Sequence, residues 1–317
     1  MTDYAIVRGP DGLAPEPIEV SAPGPGEVRI RQNAVGLSFG DVPPHLSGGL
    51  SVVPGSSAAG VVEAVGRRAG FVVGERVAYA TLPSGAYASV RNVPADALVR
   101  LPDAVSDETA AAVLGKGLLA WALLRQVYPV RAGETVVFHV AAGGLGLLAG
   151  QWLSHLGVRA IGTVGSADKV RLAVDNGYDE VVLYRTDDLA ARAHDLTEGA
   201  GVPVVYDPVG AATFTMSLNA LRPRGLLASF GSISGPVTAL ELGLLASSGS
   251  LYVTRPRLAD YLPDATTLRA AATELFDLVT TGVIRPNLRQ RFDLADAGKA
   301  REALESRATV GATVLVP

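Results

Sequence analysis

Six residues, five of them small, Ala141-Ala142-Gly143-Gly144-Leu145-Gly146, follow the run Thr135-Val136-Val137-Phe138-His139-Val140 and precede an apolar stretch that reaches His155. A β-branched run reads as a buried strand, and the stretch beyond reads as a helix. Glycines at such a junction let the backbone approach a pyrophosphate, and a helix N-terminus then offers free N–H groups to the phosphates. Gly143 and Gly144 would make that approach, and Gly146 would let the helix pack on the sheet. Ala141 stands where the fingerprint G-x-G-x-x-G has its first glycine. The other reading is a glycine cluster that serves packing only.

The second strand of such a unit selects the dinucleotide. A site for NAD places a carboxylate at its tip, about 20 residues on, for the ribose 2′-hydroxyl. Here Val164 is followed by Gly165-Ser166-Ala167-Asp168-Lys169. The tip carries no acid, and Asp168 falls in the following helical turn, where it answers the helix dipole. Ser166 offers a hydrogen bond and Lys169 a positive charge, which suit a 2′-phosphate. NADPH is therefore expected over NADH. The alternative for Lys169 is a solvated helix residue.

Other chemistries find less support. Cysteine is absent, which removes disulfides, thiol nucleophiles and Cys-ligated metals. Among the four histidines, His139 reads as a satisfied core residue, His155 as a helix-end residue, His194 as part of a polar helix face, and His45 as a candidate for the site. No pair has the spacing of a zinc site, so no catalytic metal is expected.

These residues need elements to hold them. The 317 residues suit two domains. With 48% hydrophobic and 18% charged residues the chain is too apolar to be disordered. A net charge of −4 lacks the basic footprint of a nucleic-acid binder. The first hundred residues read as short strands at Tyr4–Arg8, Glu27–Asn33, Ala59–Val65 and Arg76–Ala80, separated by Pro/Gly turns. From Ser106 a helix is expected toward Tyr128. Strands at 135–140, 159–164, 180–183, 202–206, 225–229 and 250–254 then alternate with helices at 144–155, 167–175, 187–196 and 212–220. That order predicts an α/β fold with a doubly wound parallel sheet of six strands. A helix at 266–280 and a strand at 313–316 close the chain. The charge-free stretch from Thr135 to Val158 is long enough for a bilayer, but its polar residues and glycines suit a strand, a turn and a core helix better. No export signal opens the chain. A cytoplasmic location, with no membrane or nucleic-acid partner, is expected.

Beyond single motifs, the chain resembles the zinc-free quinone oxidoreductases, the zeta-crystallin-like branch of the medium-chain dehydrogenase/reductase superfamily. The resemblance covers essentially its whole length. It rests on Leu114-Gly115-Lys116-Gly117-Leu118, Phe138 to Gly144, Gly162-Thr163-Val164-Gly165-Ser166, Val205-Tyr206-Asp207-Pro208-Val209-Gly210, Ser229-Phe230-Gly231-Ser232, Gly249 to Pro256, and Glu305-Ser306-Arg307-Ala308-Thr309. It implies a GroES-like β domain, residues 1–118 with 264–317, and an inserted Rossmann domain, residues 119–263, with NADPH in the cleft between them. It also implies that Ala142, Gly143, Gly144 and Leu145 meet the pyrophosphate. Gly165, Ser166, Lys169, Tyr184 and Arg307 would surround the 2′-phosphate. Phe230, Gly231 and Ser232 would lie along the nicotinamide side, and Pro208 is a further cofactor-binding residue.

Departures from the family cluster where it builds the substrate pocket. Its Asn-Phe-Ile-Asp-like segment reads Ser38-Phe39-Gly40-Asp41, followed by a shortened loop with His45. Ser57 lies where a glutamate is usual, and Leu119 replaces a threonine. With Tyr252, these residues are expected to line a roomier, less polar pocket. Ser38, Asp41 and Tyr79 are the candidate catalytic residues, with Ser38 bonding the acceptor carbonyl.

The resemblance implies an NADPH-dependent reductase of quinones or α,β-unsaturated carbonyls. Two alternatives stay open: a biosynthetic enoyl reductase on a larger intermediate, and a non-catalytic NADPH-binding regulatory or structural protein. Between Arg224 and Arg255 the only charge is Glu241. The apolar edge strand 250–254 predicts a homodimer through antiparallel pairing.

Overall fold

The computed structural model describes residues 2–9, 12–41, 52–80, 84–306 and 308–317. His45 and Arg307 lie outside the described residues. In chain order the first elements are strands β1 (Tyr4–Gly9), β2 (Gly12–Pro17), β3 (Glu27–Gly36), β4 (Ser57–Val65), β5 (Arg76–Ala80), β6 (Val90–Pro94) and β7 (Val99–Arg100). Helix α1 (Asp107–Trp121) leads to β8 (Thr135–His139), α2 (Gly144–His155), β9 (Arg159–Val164), α3 (Val170–Val174), β10 (Glu180–Leu183), α4 (Leu189–Asp195) and β11 (Val202–Asp207). Then come α5 (Phe214–Ala220), β12 (Leu221–Ser229), α6 (Leu242–Ser247), β13 (Tyr252–Thr254) and α7 (Leu258–Tyr261). The chain closes with α8 (Ala265–Thr280), β14 (Leu288–Asp293), α9 (Ala297–Glu305) and β15 (Ala312–Val316).

Two compact units result: Met1–Leu118 with Leu262–Gly282 and Pro286–Pro317, and Leu119–Tyr261 with Val283–Arg285. The first holds a seven-stranded sheet in the order β14-β15-β3-β4-β5-β7, with β6 also on β3. Strand β3 alternates buried and partly exposed residues along most of its length, as a strand with one covered face must. Its inner side chains, Val28, Ile30 and Val35, pack with Val62, Val77, Leu98 and Leu315.

The second unit holds a parallel sheet in the order β10-β9-β8-β11-β12-β13. That is the doubly wound order in which the topology reverses between the first and fourth strands, here β8 and β11. Every residue of β11 is buried, although it contains Pro203. The proline fits because the register with β12 shifts between Val202 and Val204, and pairing with β8 involves Val205 and Tyr206.

Local signals place most boundaries. Ser106 caps α1 through its hydroxyl on the Thr109 N–H, as expected, but α1 ends at Trp121 and Ala122–Val127 continues as a π-turn. The stretch 107–127 is long and apolar enough to cross a bilayer, yet 67% of its most apolar window is buried inside the protein, as suits a core helix. The helix expected at 167–175 is a 3-10 turn, Ala167–Lys169, followed by α3. Strand β12 begins at Leu221 rather than 225, because Val202 pairs with Leu221.

Candidate active site

In the second unit, the ends of β8, β9, β11 and β12 carry the expected cofactor residues. Val140 leaves β8 with φ +61, a conformation costly for a β-branched residue. The turn is held by Ala141 N–H on Thr163 O (2.9 Å) and Gly143 N–H on Val140 O (3.0 Å). A methyl on Gly146 would overlap the Val140 carbonyl and stand 2.8 Å from Ala141 Cα. The helix therefore starts closer to the strand end than any side chain allows. Gly143 is the N-cap of α2, with no side-chain cap and no acid in the first turn. Gly143, Gly144 and Leu145 are partly exposed, while Ala142 is buried. This is a cradle that a phosphate fits by backbone N–H and helix dipole.

At the tip of β9, Gly165 is exposed and Ser166 and Lys169 are partly exposed. Ser166 opens the 3-10 turn without capping it, so its hydroxyl is not spent on the backbone there. The Tyr184 ring lies beside Gly165, with its Cε1 3.4 Å from where a β-carbon would be. Arg185 sits over that ring at 5.8 Å, a cation the sequence reading passed over. No carboxylate stands at the strand tip, and Asp168 is exposed in the following turn.

At the end of β11, the buried Asp207 carboxylate accepts from Val209 N (2.6 Å), Gly210 N (3.2 Å), Thr213 Oγ1 (2.7 Å) and Ser217 Oγ (3.0 Å). Ser217 also meets His139 Nε2 at 2.9 Å, and His139 Nδ1 meets Thr163 Oγ1 at 2.8 Å. With the Ser217 proton on Asp207, Nε2 carries the histidine proton and Thr163 donates to Nδ1. His139 is thus a satisfied core residue, as its apolar strand suggested. Burial pulls its pKa down, and the Asp207 charge opposes this. The chain ties β9, β8 and β11 beneath the turn at Pro208. Gly231 rests against that turn, its missing β-carbon leaving room for Pro208 Cα. Arg255, just past β13, donates to the carbonyls of Ser229 and Gly231 and so holds the Phe230–Ser232 strip.

In the first unit, Ser38 and Asp41 come together in a tight turn with a 3-10 segment at Phe39–Asp41. Asp41 is buried and accepts from Ser38 N (2.6 Å), Ser56 Oγ (2.9 Å) and Tyr87 OH (3.1 Å). Burial pushes its pKa up, while those donors and the Lys116 charge pull it back. The Lys116 ammonium bonds Leu37 O and Ala112 O, and burial lowers its pKa. Ser38 is partly exposed, and Phe39 and Gly40 are exposed. Asp41 therefore shapes the turn, and Ser38 is the residue it presents.

Two expectations change. Tyr79 is 2% exposed, its hydroxyl donates to Gln32 Oε1, and its pKa is pushed up to about 12 by burial. It is a core tyrosine, spent on a buried amide, rather than a catalytic donor. Tyr252 is exposed at the start of β13, level with Leu226 and four residues short of Phe230, so it stands away from the strand ends. Ser57 is buried at the start of β4, its hydroxyl close to Gly36. Leu119 is partly exposed in α1. Asp207 and Arg255 stood in the quoted segments without a role, and Ser217 in none, because partners such as His139 and Ser217, 78 residues apart, leave no local pattern.

Comparison with known proteins agrees with this arrangement. Residues 24–103 match the model of the alcohol dehydrogenase GroES-like domain, and residues 144–263 that of the zinc-binding dehydrogenase. A quinone oxidoreductase of Pseudomonas aeruginosa is 48% identical over 321 residues, covering 99% of this chain and 98% of its own. The chain belongs to the quinone oxidoreductase family. The Escherichia coli quinone oxidoreductase structure, complexed with NADPH, superposes with a TM-score of 0.94 at 42% identity, covering 100% of this chain and 99% of that one. A 2-haloacrylate reductase of a Burkholderia species is 38% identical, covering 98% of this chain and 96% of its own. Although one domain model is named for zinc, among the described residues no three His, Cys, Asp or Glu side chains converge on a metal position.

Proposed function

We propose that this protein is an NADPH-dependent reductase of quinones and activated alkenes. The observation that carries the reading is the uncapped start of α2 at Gly143 beside a β9 tip that offers Ser166 and Lys169 and no carboxylate. The residues fit the group: backbone N–H groups for the pyrophosphate, and a hydroxyl and a cation for the 2′-phosphate. Bound NADPH would supply the hydride. The Pro208–Gly210 turn and the Phe230–Ser232 strip, fixed by Asp207 and Arg255, would orient the nicotinamide side. Ser38, fixed by Asp41, would donate to the acceptor carbonyl and hold the charge that develops on its oxygen. With the hydroxyls of Tyr79 and Tyr87 spent in the core, the completing proton is assigned to solvent.

The similarity to a 2-haloacrylate reductase favours activated alkenes as acceptors alongside quinones. The test is NADPH oxidation by the purified protein with a panel of quinones and enones, with product analysis. The reading expects turnover with NADPH well above that with NADH, and a fall in turnover for Ser38→Ala. Failure to bind NADPH, or tight binding without turnover on any acceptor, refutes it.

A soluble, cytoplasmic homodimer is part of the same proposal. Strand β13 is the last in its sheet, Tyr252 is 61% exposed on it, and Leu242 is 77% exposed on α6. An open apolar edge of this kind favours strand pairing with a second copy. A monomer by light scattering at micromolar concentration would overturn the dimer.

A further inference from the structure

The Ser38 turn is gripped from outside its own segment by one residue of the C-terminal helix. Arg301 of α9 donates through Nη1 to Ser38 O and to Phe39 O, both at 3.0 Å. Its guanidinium also stands 5.7 Å from the centre of the Phe39 ring, and its Nε is held by Glu305 Oε1 at 2.7 Å. The Arg301 side chain is only 13% exposed, although Phe39 is 41% exposed and Glu305 55%. A long cation is thus drawn in beneath an exposed turn.

The arrangement at Ser38 is two-sided. Its N–H is taken by the Asp41 carboxylate, and its carbonyl by the Asp41 N–H (3.2 Å) and by Arg301. The preceding carbonyl, Leu37 O, is taken by Lys116. The peptide groups on both sides of Ser38 Cα are therefore fixed by charged side chains from separate elements, and the direction of its Cα–Cβ bond follows. Asp41 and Lys116 lie close in sequence to the turn or on the helix packed beneath it. Arg301 comes from 263 residues away and brings a fixed positive charge next to the backbone of the residue proposed to meet the acceptor oxygen. The guanidinium holds the two carbonyls through Nη1 and the carboxylate through Nε, so the acceptors are bonded from two nitrogens in a fixed plane, where an ammonium has one nitrogen only.

We propose that Arg301 is a positioning residue for acceptor reduction: it sets the Ser38–Phe39 backbone so that the Ser38 hydroxyl meets the acceptor carbonyl. The inference rests on the reading of Ser38 as the acceptor-binding residue. It makes acceptor kinetics, and not cofactor affinity, the property that Arg301 controls.

The experiment uses Arg301→Lys, Arg301→Met, Ser38→Ala and the Ser38→Ala/Arg301→Met pair. NADPH affinity is read by titrating cofactor fluorescence, kcat and KM by varying a quinone or an enone at saturating NADPH, and stability by thermal melting. A misplacement of about 1 Å at a reacting group costs about 100-fold in rate. Arg301→Met is therefore expected to lower acceptor kcat/KM about 100-fold, and Arg301→Lys, which keeps the charge and one bond, about 10-fold. NADPH affinity should stay within about twofold, since Ala142–Leu145, Gly165–Lys169, Tyr184 and Phe230–Ser232 all belong to the other unit and Arg301 makes none of its hydrogen bonds to them. The pair should be no worse than the more impaired single variant, because both act through one hydroxyl.

A lower melting temperature with unchanged acceptor kinetics per folded molecule overturns the inference, as does a parallel loss of NADPH binding in Arg301→Lys. Should Arg301→Met fail to fold, Arg301→Lys decides alone, by whether its acceptor kinetics fall while its NADPH affinity holds. Unchanged kinetics in Ser38→Ala would instead remove the underlying reading of Ser38. Impaired Ser38→Ala beside unaffected Arg301→Lys would remove only the inference about Arg301.

Discussion

Replacing Asp207 tests whether the Pro208–Gly210 turn, proposed to orient the nicotinamide, is held by one carboxylate. In Asp207→Ala four donors lose their acceptor. Two have another acceptor in place: Thr213 Oγ1 reaches Gly210 O at 3.3 Å, and Ser217 Oγ reaches Thr213 O at 2.8 Å. The N–H groups of Val209 and Gly210 lie in a buried turn and have no such alternative in the geometry around Asp207. An orphaned buried donor costs about 1–3 kcal/mol, so the two together cost about 2–6 kcal/mol before any cavity is counted.

Asp207→Asn should behave differently. Its amide oxygen can keep both N–H groups, and its amide nitrogen can donate to the two hydroxyls once these turn to Gly210 O and Thr213 O. The expected cost is within about 1 kcal/mol. Urea unfolding of the three proteins measures the difference, and acceptor turnover reports the turn, with Asp207→Ala slowed and Asp207→Asn nearly unaffected. An alanine variant destabilised by less than about 1 kcal/mol, or an asparagine variant as unstable as the alanine one, would refute the reasoning.

Three other outcomes follow from the same geometry. Gly146→Ala pushes a methyl against the Val140 and Ala141 backbone and should cost about 1–3 kcal/mol and at least about 10-fold in NADPH affinity, whereas Gly115→Ala, with 3.6 Å to Ala80 Cβ inside α1, should be neutral or stabilising by up to about 1 kcal/mol in thermal melts. Tyr79→Phe leaves Gln32 Oε1 short of a donor and should lower stability by about 1–2 kcal/mol while leaving kcat per folded molecule unchanged; a large loss of kcat would restore Tyr79 to the chemistry. His139 has a folded-state pKa below its unfolded value of about 6.5, so it contributes stability above that pH that is lost as pH falls toward the folded value, at up to about 1.4 kcal/mol per pH unit; denaturant midpoints between pH 6.5 and 5 should show this slope, and His139→Gln should flatten it.

Where neighbours in sequence are neighbours in space, the sequence was enough. The strand Thr135–His139, the turn Ala141–Gly144 and helix α2 follow from a β-branched run, small residues and an apolar continuation. The β9 tip was legible for the same reason, since Ser166 and Lys169 lie within five residues of the strand end. Strand β2 was hidden because Pro15 and Pro17 argue against a strand, and it forms only by antiparallel pairing with β1 at the margin of its unit. Strand β14 was hidden by its charged residues, which occupy one side of an outer strand on β15.

The candidate site divides along the same line. Residue types marked the glycine turn and the β9 tip proposed to meet the 2′-phosphate, and the family resemblance marked the Ser38–Asp41 turn. Only the tertiary structure separated Tyr79 and Tyr252 from that chemistry, because a tyrosine in a β pattern reads alike whether its hydroxyl is spent on a buried glutamine or its ring stands on an open edge. Only the tertiary structure brought in Asp207 with Ser217 and His139, and Arg301 with Ser38. Backbone conformation is set by interactions within a few residues, whereas the orientation of a polar side chain is set by whichever donor or acceptor the packed chain brings within 3 Å of it.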